Sequence, residues 1–203
     1  MQANRRKMFS AFMLFCGWIL TQSFATPLYA ATVNYTGAGS GTLTSPFNSG
    51  GVTVTSSGTL YRDNSFGIGV VGGMSNQIID DTESANFAFE TGAATGVSFD
   101  QVLSECTNCS ATPTVTVEGF GVGGASLGSA SVSIFGLATH NISSLFGGVA
   151  LSSFTIEGTL NNGLSVGSIT FTPVAPIPEP SSLMLLGTGV LGVAGMLRRR
   201  LTA

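Results

Sequence analysis

The sequence predicts an all-β protein, an antiparallel β-sandwich of the jelly-roll kind, flanked by an N-terminal signal helix and a C-terminal transmembrane helix. Three observations predict it. Between Ala31 and Pro173 apolar residues recur with period two, as they do along strands that bury one face. Glycine-, serine- and asparagine-rich stretches separate these runs, and no convincing amphipathic helix interrupts them. Charged residues make up only 8% of the 203, against 28 glycines, a balance that suits turns and strands better than solvated helices.

The chain opens on Arg5, Arg6 and Lys7, followed by an apolar run from Met8 to Leu20 and a small-residue region. That order is the pattern of a secretory signal, assigned to residues 1–30, with cleavage expected after Ala30 and Ser23-Phe24-Ala25 as the alternative. The run is short for a membrane span.

Residues 31–173 form the predicted sandwich. Its strands centre on Val52-Thr-Val54, Ile68-Gly-Val70, Phe87-Ala-Phe89 and Val97-Ser-Phe99. Val115-Thr-Val117, Val132-Ser-Ile134, Phe154-Thr-Ile156 and Ile169-Thr-Phe171 complete the eight. Asn162-Gly163 lies between the last two and is the pair that a type I′ hairpin turn prefers. The Gly/Ser-rich opening, residues 36–51, is expected to be a loose lead. Between positions 31 and 175 one arginine, Arg62, faces nine acids, a net charge of −8. A surface of that sign repels phosphate backbones, so nucleic-acid binding is excluded.

Cys106 and Cys109 form a C-x-x-C between two predicted strands, expected to be a small disulfide in an exported chain. A redox pair needs a helix start, which the following threonines and valines do not offer. Zinc needs two more ligands, and His140 is the only histidine. Asp80, Asp81 and Glu83 gather in one loop before a strand. Such oxygens suit calcium, and equally a solvated turn whose acids cap backbone N–H groups. A Ser-His-Asp relay would rest on His140, without a nucleophile elbow around it. A glycosidase needs two separated carboxylates, and the sequence marks out no pair.

Residues 174–180 continue a linker, TPVAPIPEP from Thr172 to Pro180, whose four prolines suit neither helix nor central strand. Residues 181–197 carry no charge, and Arg198, Arg199 and Arg200 follow. Residues 181–203 are therefore expected to be a transmembrane helix with its arginines on the cytoplasmic side. Ile177-Pro178-Glu179-Pro180, the apolar Leu/Gly stretch and the terminal arginines together resemble the PEP-CTERM protein-sorting signal. Only the isoleucine departs from the commoner valine. The stretch from Gly67 to Phe89 also resembles a recurring segment of PEP-CTERM ectodomains, one with no agreed function.

The resemblance implies an inner-membrane precursor of a Gram-negative bacterium, recognised at Pro178, Glu179 and Pro180 by an exosortase. Its product would pass to the cell envelope surface or the extracellular matrix. The expected role is structural, in association with exopolysaccharide, and not enzymatic. A calcium-dependent, lectin-like module is the alternative, ahead of a glycoside-active enzyme. Trp18 belongs to the signal, so few aromatics remain outside the core to stack on sugars.

Overall fold

The computed structural model describes residues 29–73, 75–106, 112–174, 186–190, 192–194 and 197–198. The signal residues 1–28 lie outside these. The body contains β1 (Ala31–Asn34), β2 (Gly41–Leu43), β3 (Phe47–Ser49), β4 (Val52–Ser56) and β5 (Thr59–Asp63). Next come β6 (Gly67–Val71), β7 (Ser84–Phe89), β8 (Ala94–Cys106), β9 (Thr114–Gly121) and β10 (Ser126–Ser133). The chain closes with β11 (Thr139–Asn141), α1 (Ile142–Leu145), β12 (Leu151–Glu157) and β13 (Asn162–Pro173). The four-residue α1 is capped by Asn141, whose side chain accepts from the Ser144 N–H at 3.0 Å.

All eight expected strand centres fall in strands; most bury one side of a two-residue period, while β6 and the middle of β13 are buried on both sides. Along β9, Val115 and Val117 are buried while Thr116 and Glu118 face outward; along β7, Phe87 and Phe89 are buried. Two separate sheets are expected from the sequence. The structure joins them into one antiparallel, nearly closed sheet running β2-β5-β6-β13-β8-β12-β7-β4-β3. The link between its halves is Leu151 of β12 opposite Ala94 of β8. β1 lies on β13, β11 on β8, and β9 on β12, carrying β10 at an edge.

Aromatic rings fill the space enclosed by this curl. Phe154 and its cross-strand partner Phe87 stack at 5.1 Å, and Phe154 meets Phe99 of the facing half at 6.2 Å, 10° from parallel. Phe89 meets Phe171 across the same interior at 4.9 Å. Each such buried ring contributes roughly 1.5–3 kcal/mol by burial, and its ring contacts add about 0.5–1.5.

Two local expectations are corrected. Residues 36–51 are not a loose lead: β2 pairs with β5, and β3 pairs with β4. β2 finds β5 at a distance along the chain, which local Gly/Ser composition does not announce; β3 and β4 form a tight hairpin through Gly50-Gly51, both at positive φ, a turn pair that the composition hides among its other glycines. Nor is Asn162-Gly163 a hairpin turn. The turn is Thr159–Asn162, closed by hydrogen bonds of 2.8 and 3.1 Å, and Asn161 holds the positive φ of 63°. Asparagine tolerates that left-handed backbone. β12 and β13 then enter different parts of the sheet rather than pairing.

Tyr35 is 1% exposed, and its hydroxyl has no hydrogen-bond partner in the described structure. Burial pushes its phenol above the ordinary tyrosine range. Tyr35→Phe keeps the ring and removes the orphaned hydroxyl. The expected gain is about 1 kcal/mol, or roughly 2–4 °C in the thermal midpoint followed by circular dichroism. A lowered midpoint would mean that the hydroxyl is satisfied.

Candidate functional site

The acidic loop between β6 and β7 is woven into the sheet. Ile79 pairs with Leu164 of β13, its N–H donating to the Leu164 carbonyl at 2.8 Å. The next residue, Asp80, is fully buried. It fits because Gly158 and Gly163 stand against it: a Cβ at Gly163 would lie 2.5 Å from the Asp80 Cβ, and one at Gly158 would overlap the Asp80 Cα. A Cβ at Gly73 would overlap the Asp80 carboxylate itself. The enclosure is thus made by glycines from both ends of the chain's middle.

Asp80 to Glu83 forms a tight turn, with the Glu83 N–H donating to the Asp80 carbonyl at 2.6 Å. Both central residues are left-handed, Asp81 at φ 44° and Thr82 at φ 72°. For a β-branched threonine that conformation costs on the order of 1 kcal/mol or more. The acids of this turn serve the backbone. Asp81 Oδ1 accepts from the Asn161 N–H at 2.8 Å, and Glu83 Oε2 accepts from the Asp80 N–H at 3.3 Å. The three acids expected as a calcium set are therefore near one another in the fold, and two of them act as turn caps. Among the described residues no group of three His, Cys, Asp or Glu side chains converges on a metal-sized site. Burial pushes the Glu83 carboxyl up to about 7, with the nearby Asp80 charge adding to it and the Asp80 N–H opposing it.

His140 sits on β11 beside Phe99, the rings 4.9 Å apart. Its Nε2 is 2.7 Å from Gln101 Oε1. Gln101 is itself buried and donates its amide to the Ile134 and Gly136 carbonyls, at 3.1 and 2.9 Å. That fixes the amide, so Oε1 faces the ring and the histidine proton belongs on Nε2. Burial lowers the His140 pKa. Gln101, on β8, ties the 134–138 loop to that strand, its own N–H donating to the Ala138 carbonyl at 2.9 Å. Next to it, Thr139 and Ser168 donate to the two oxygens of Asp100, holding that carboxyl below its usual range.

Cys106 ends β8 and is disulfide-bonded; Cys109 lies outside the described residues. So do Pro178, Glu179, Pro180, Arg199 and Arg200. Residues 186–190, 192–194 and 197–198, Arg198 among them, are helical. Among the described residues no helix is long and apolar enough to cross a membrane.

One polar feature has no counterpart in the sequence reading. The outward face of β10, β9 and β12 opens a groove of about 270 Å³, lined by Thr116, Glu118, Gly128, Ser129, Thr155 and Glu157. Glu118 lies opposite Thr155 and Glu157 opposite Thr116, so the two carboxylates are diagonal neighbours across the β9–β12 pair. The alternation of TVTVEGF and SFTIE places both glutamates outward, but only strand pairing brings them together.

Compared with known proteins, the chain matches the model of the PEP-CTERM protein-sorting motif over residues 176–200. No curated protein and no solved structure matches it significantly.

The Glu83 environment predicts a pH dependence. The folded chain holds this proton up to about pH 7, whereas an unfolded glutamate releases it near 4.5. The stability it contributes is whole below about pH 4.5 and is lost as pH rises through 7. Urea midpoints measured from pH 5 to 8 should decline, and Glu83→Gln should flatten that slope. Equal slopes in parent and variant would assign the decline to another group.

Proposed function

We propose that this chain is an exported, exosortase-sorted protein of a Gram-negative envelope, with a structural and non-catalytic role among extracellular polysaccharide. It is made with an N-terminal signal and held at the inner membrane as a precursor by its tail. An exosortase recognises Pro178, Glu179 and Pro180, and the product passes to the cell surface or the extracellular matrix. The observation that carries this reading is the sorting-motif match at residues 176–200, which implies exosortase processing of a membrane-anchored precursor and export.

Two features of the body support it. Cys106 is disulfide-bonded, as cysteines are in oxidising compartments outside the cytoplasm. The sheet also begins at Ala31, directly after the expected signal cleavage point, and Ala31 pairs with Phe171 shortly before the linker. The folded body thus spans the stretch between the two processing segments. A calcium-dependent lectin ranks second, because Asp81 and Glu83 are engaged as backbone caps.

Sorting is tested by replacing Pro178-Glu179-Pro180 with three alanines. The variant should accumulate in the inner-membrane fraction and lose most of its surface signal, as scored by fractionation and protease accessibility of whole cells. Delivery equal to the parent's would defeat the recognition role of these residues.

A further inference from the structure

The geometry points to the groove on β10, β9 and β12 as a binding site for a polysaccharide free of acidic groups, gripped through its hydroxyls by Glu118 and Glu157. This inference rests on the polysaccharide association above and gives it an address on the molecule.

The chemistry of the lining selects the ligand. Pockets for drug-sized molecules are mostly apolar and occupy roughly 300–1,000 Å³. This one is about 270 Å³ and open, and apart from Gly128 each lining side chain carries a hydroxyl or a carboxylate. A ligand here must satisfy many oxygen acceptors and hydroxyls at once while burying little apolar surface. A chain of sugars does so, because neighbouring hydroxyls can donate in pairs to a carboxylate, a charge-assisted and therefore strong contact. Glu118 and Glu157 are diagonal neighbours, a placement that spaces residues about 7–8 Å apart in a sheet, close enough for both to act on one sugar unit or on two in succession.

The groove is held in shape by residues beside its lining. Ser126 Oγ donates to Glu118 Oε1 at 2.7 Å, and the Asn86 amide donates to Thr155 Oγ1 at 2.9 Å. One carboxylate and one hydroxyl are therefore oriented before any ligand arrives, which lowers the ordering cost of binding. A register shift between Ser126 and Gly128 supplies the opening. Gly128 takes φ 102°, and a Cβ there would meet nothing within 4 Å. Bulges of this kind re-aim neighbouring side chains at the rims of sheets.

Charge then narrows the class. Two carboxylates share the groove, and the body's single base, Arg62, is on β5, away from β9, β10 and β12 in the strand order. A polyuronate or sulfated chain would meet repulsion with no cation to offset it. A neutral or amine-bearing chain meets none.

The test takes the full chain in detergent and the producing bacterium's own extracellular polysaccharide, separated by anion exchange into unretained and retained fractions. Affinity electrophoresis should show retardation by the unretained fraction and not by the retained one. Glu118→Gln with Glu157→Gln should weaken that binding roughly tenfold or more, the loss of two charge-assisted acceptors. Glu90→Gln, a charge change in the β7–β8 turn, should leave it unchanged. Circular dichroism establishes that the double variant keeps its fold, which is expected because both side chains face outward. Binding to neither fraction, binding to the acidic fraction alone, or undiminished binding by the double variant would each overturn the assignment. These outcomes keep the two readings apart: undiminished binding by the double variant removes the groove and leaves the polysaccharide association standing, whereas binding of the parent to neither fraction removes both. The alanine replacement of the sorting motif decides export separately.

Discussion

Phe154 stacks on Phe87 within its own half of the sheet and faces Phe99 across the interior. That contact does what charge and helix packing do in other proteins of this size. With one base among nine acids, the body has almost no ion pairs to draw on, and its helix is four residues long. What holds the curled sheet shut is apolar area, supplied by rings arriving from β7, β8, β12 and β13. Because the inward positions are filled in this way, alternate residues of β7, β8 and β12 are left on the outer face, while the middle of β13 is buried on both. The outward serines, threonines, asparagines and glutamates can therefore vary in chemistry without disturbing the core. Core and surface are two independent messages written on alternate letters.

How much of this is legible in the sequence depends on the distance between the residues that cooperate. Period-two alternation is local, so β4, β6, β7, β8, β9, β10, β12 and β13 announce themselves. β2 and β3 do not. Both are too short to carry a pattern: Gly41-Thr-Leu43 becomes a strand because the distant β5 offers it a partner, whereas Phe47-Asn-Ser49 pairs with β4 through the adjoining Gly50-Gly51 turn. The Asn162-Gly163 pair misleads for a related reason. The neighbouring Asn161 satisfies the turn equally well, which frees Asn162 to begin β13 opposite Cys106.

The candidate sites divide in the same way. The acids of the 80–83 loop are visible as a cluster, but the burial of Asp80 depends on Gly158 and Gly163, far away along the chain. No local pattern distinguishes an acid that will be enclosed from one that will be solvated. Glu118 and Glu157 look unremarkable for a comparable reason, since each is one outward residue in an ordinary strand. The sorting tail is the opposite case. Its meaning lies in contiguous composition (prolines, an apolar stretch, then arginines), and it is the most readable segment of the chain even though its central motif lies outside the described structure.

β13 has a mechanical consequence. The strand leads through Val174 toward the tail, and over its final stretch it runs between β8 on one side and β1 on the other, antiparallel to both. A pull along its axis is therefore borne by two rows of hydrogen bonds at once, loaded in shear. Had the chain left the sheet from the end of an edge hairpin, the same pull would open bonds singly, as a zipper opens. A body hauled by its C-terminal end is thus gripped by its most firmly seated strand, and it can be towed as a folded object rather than unravelled.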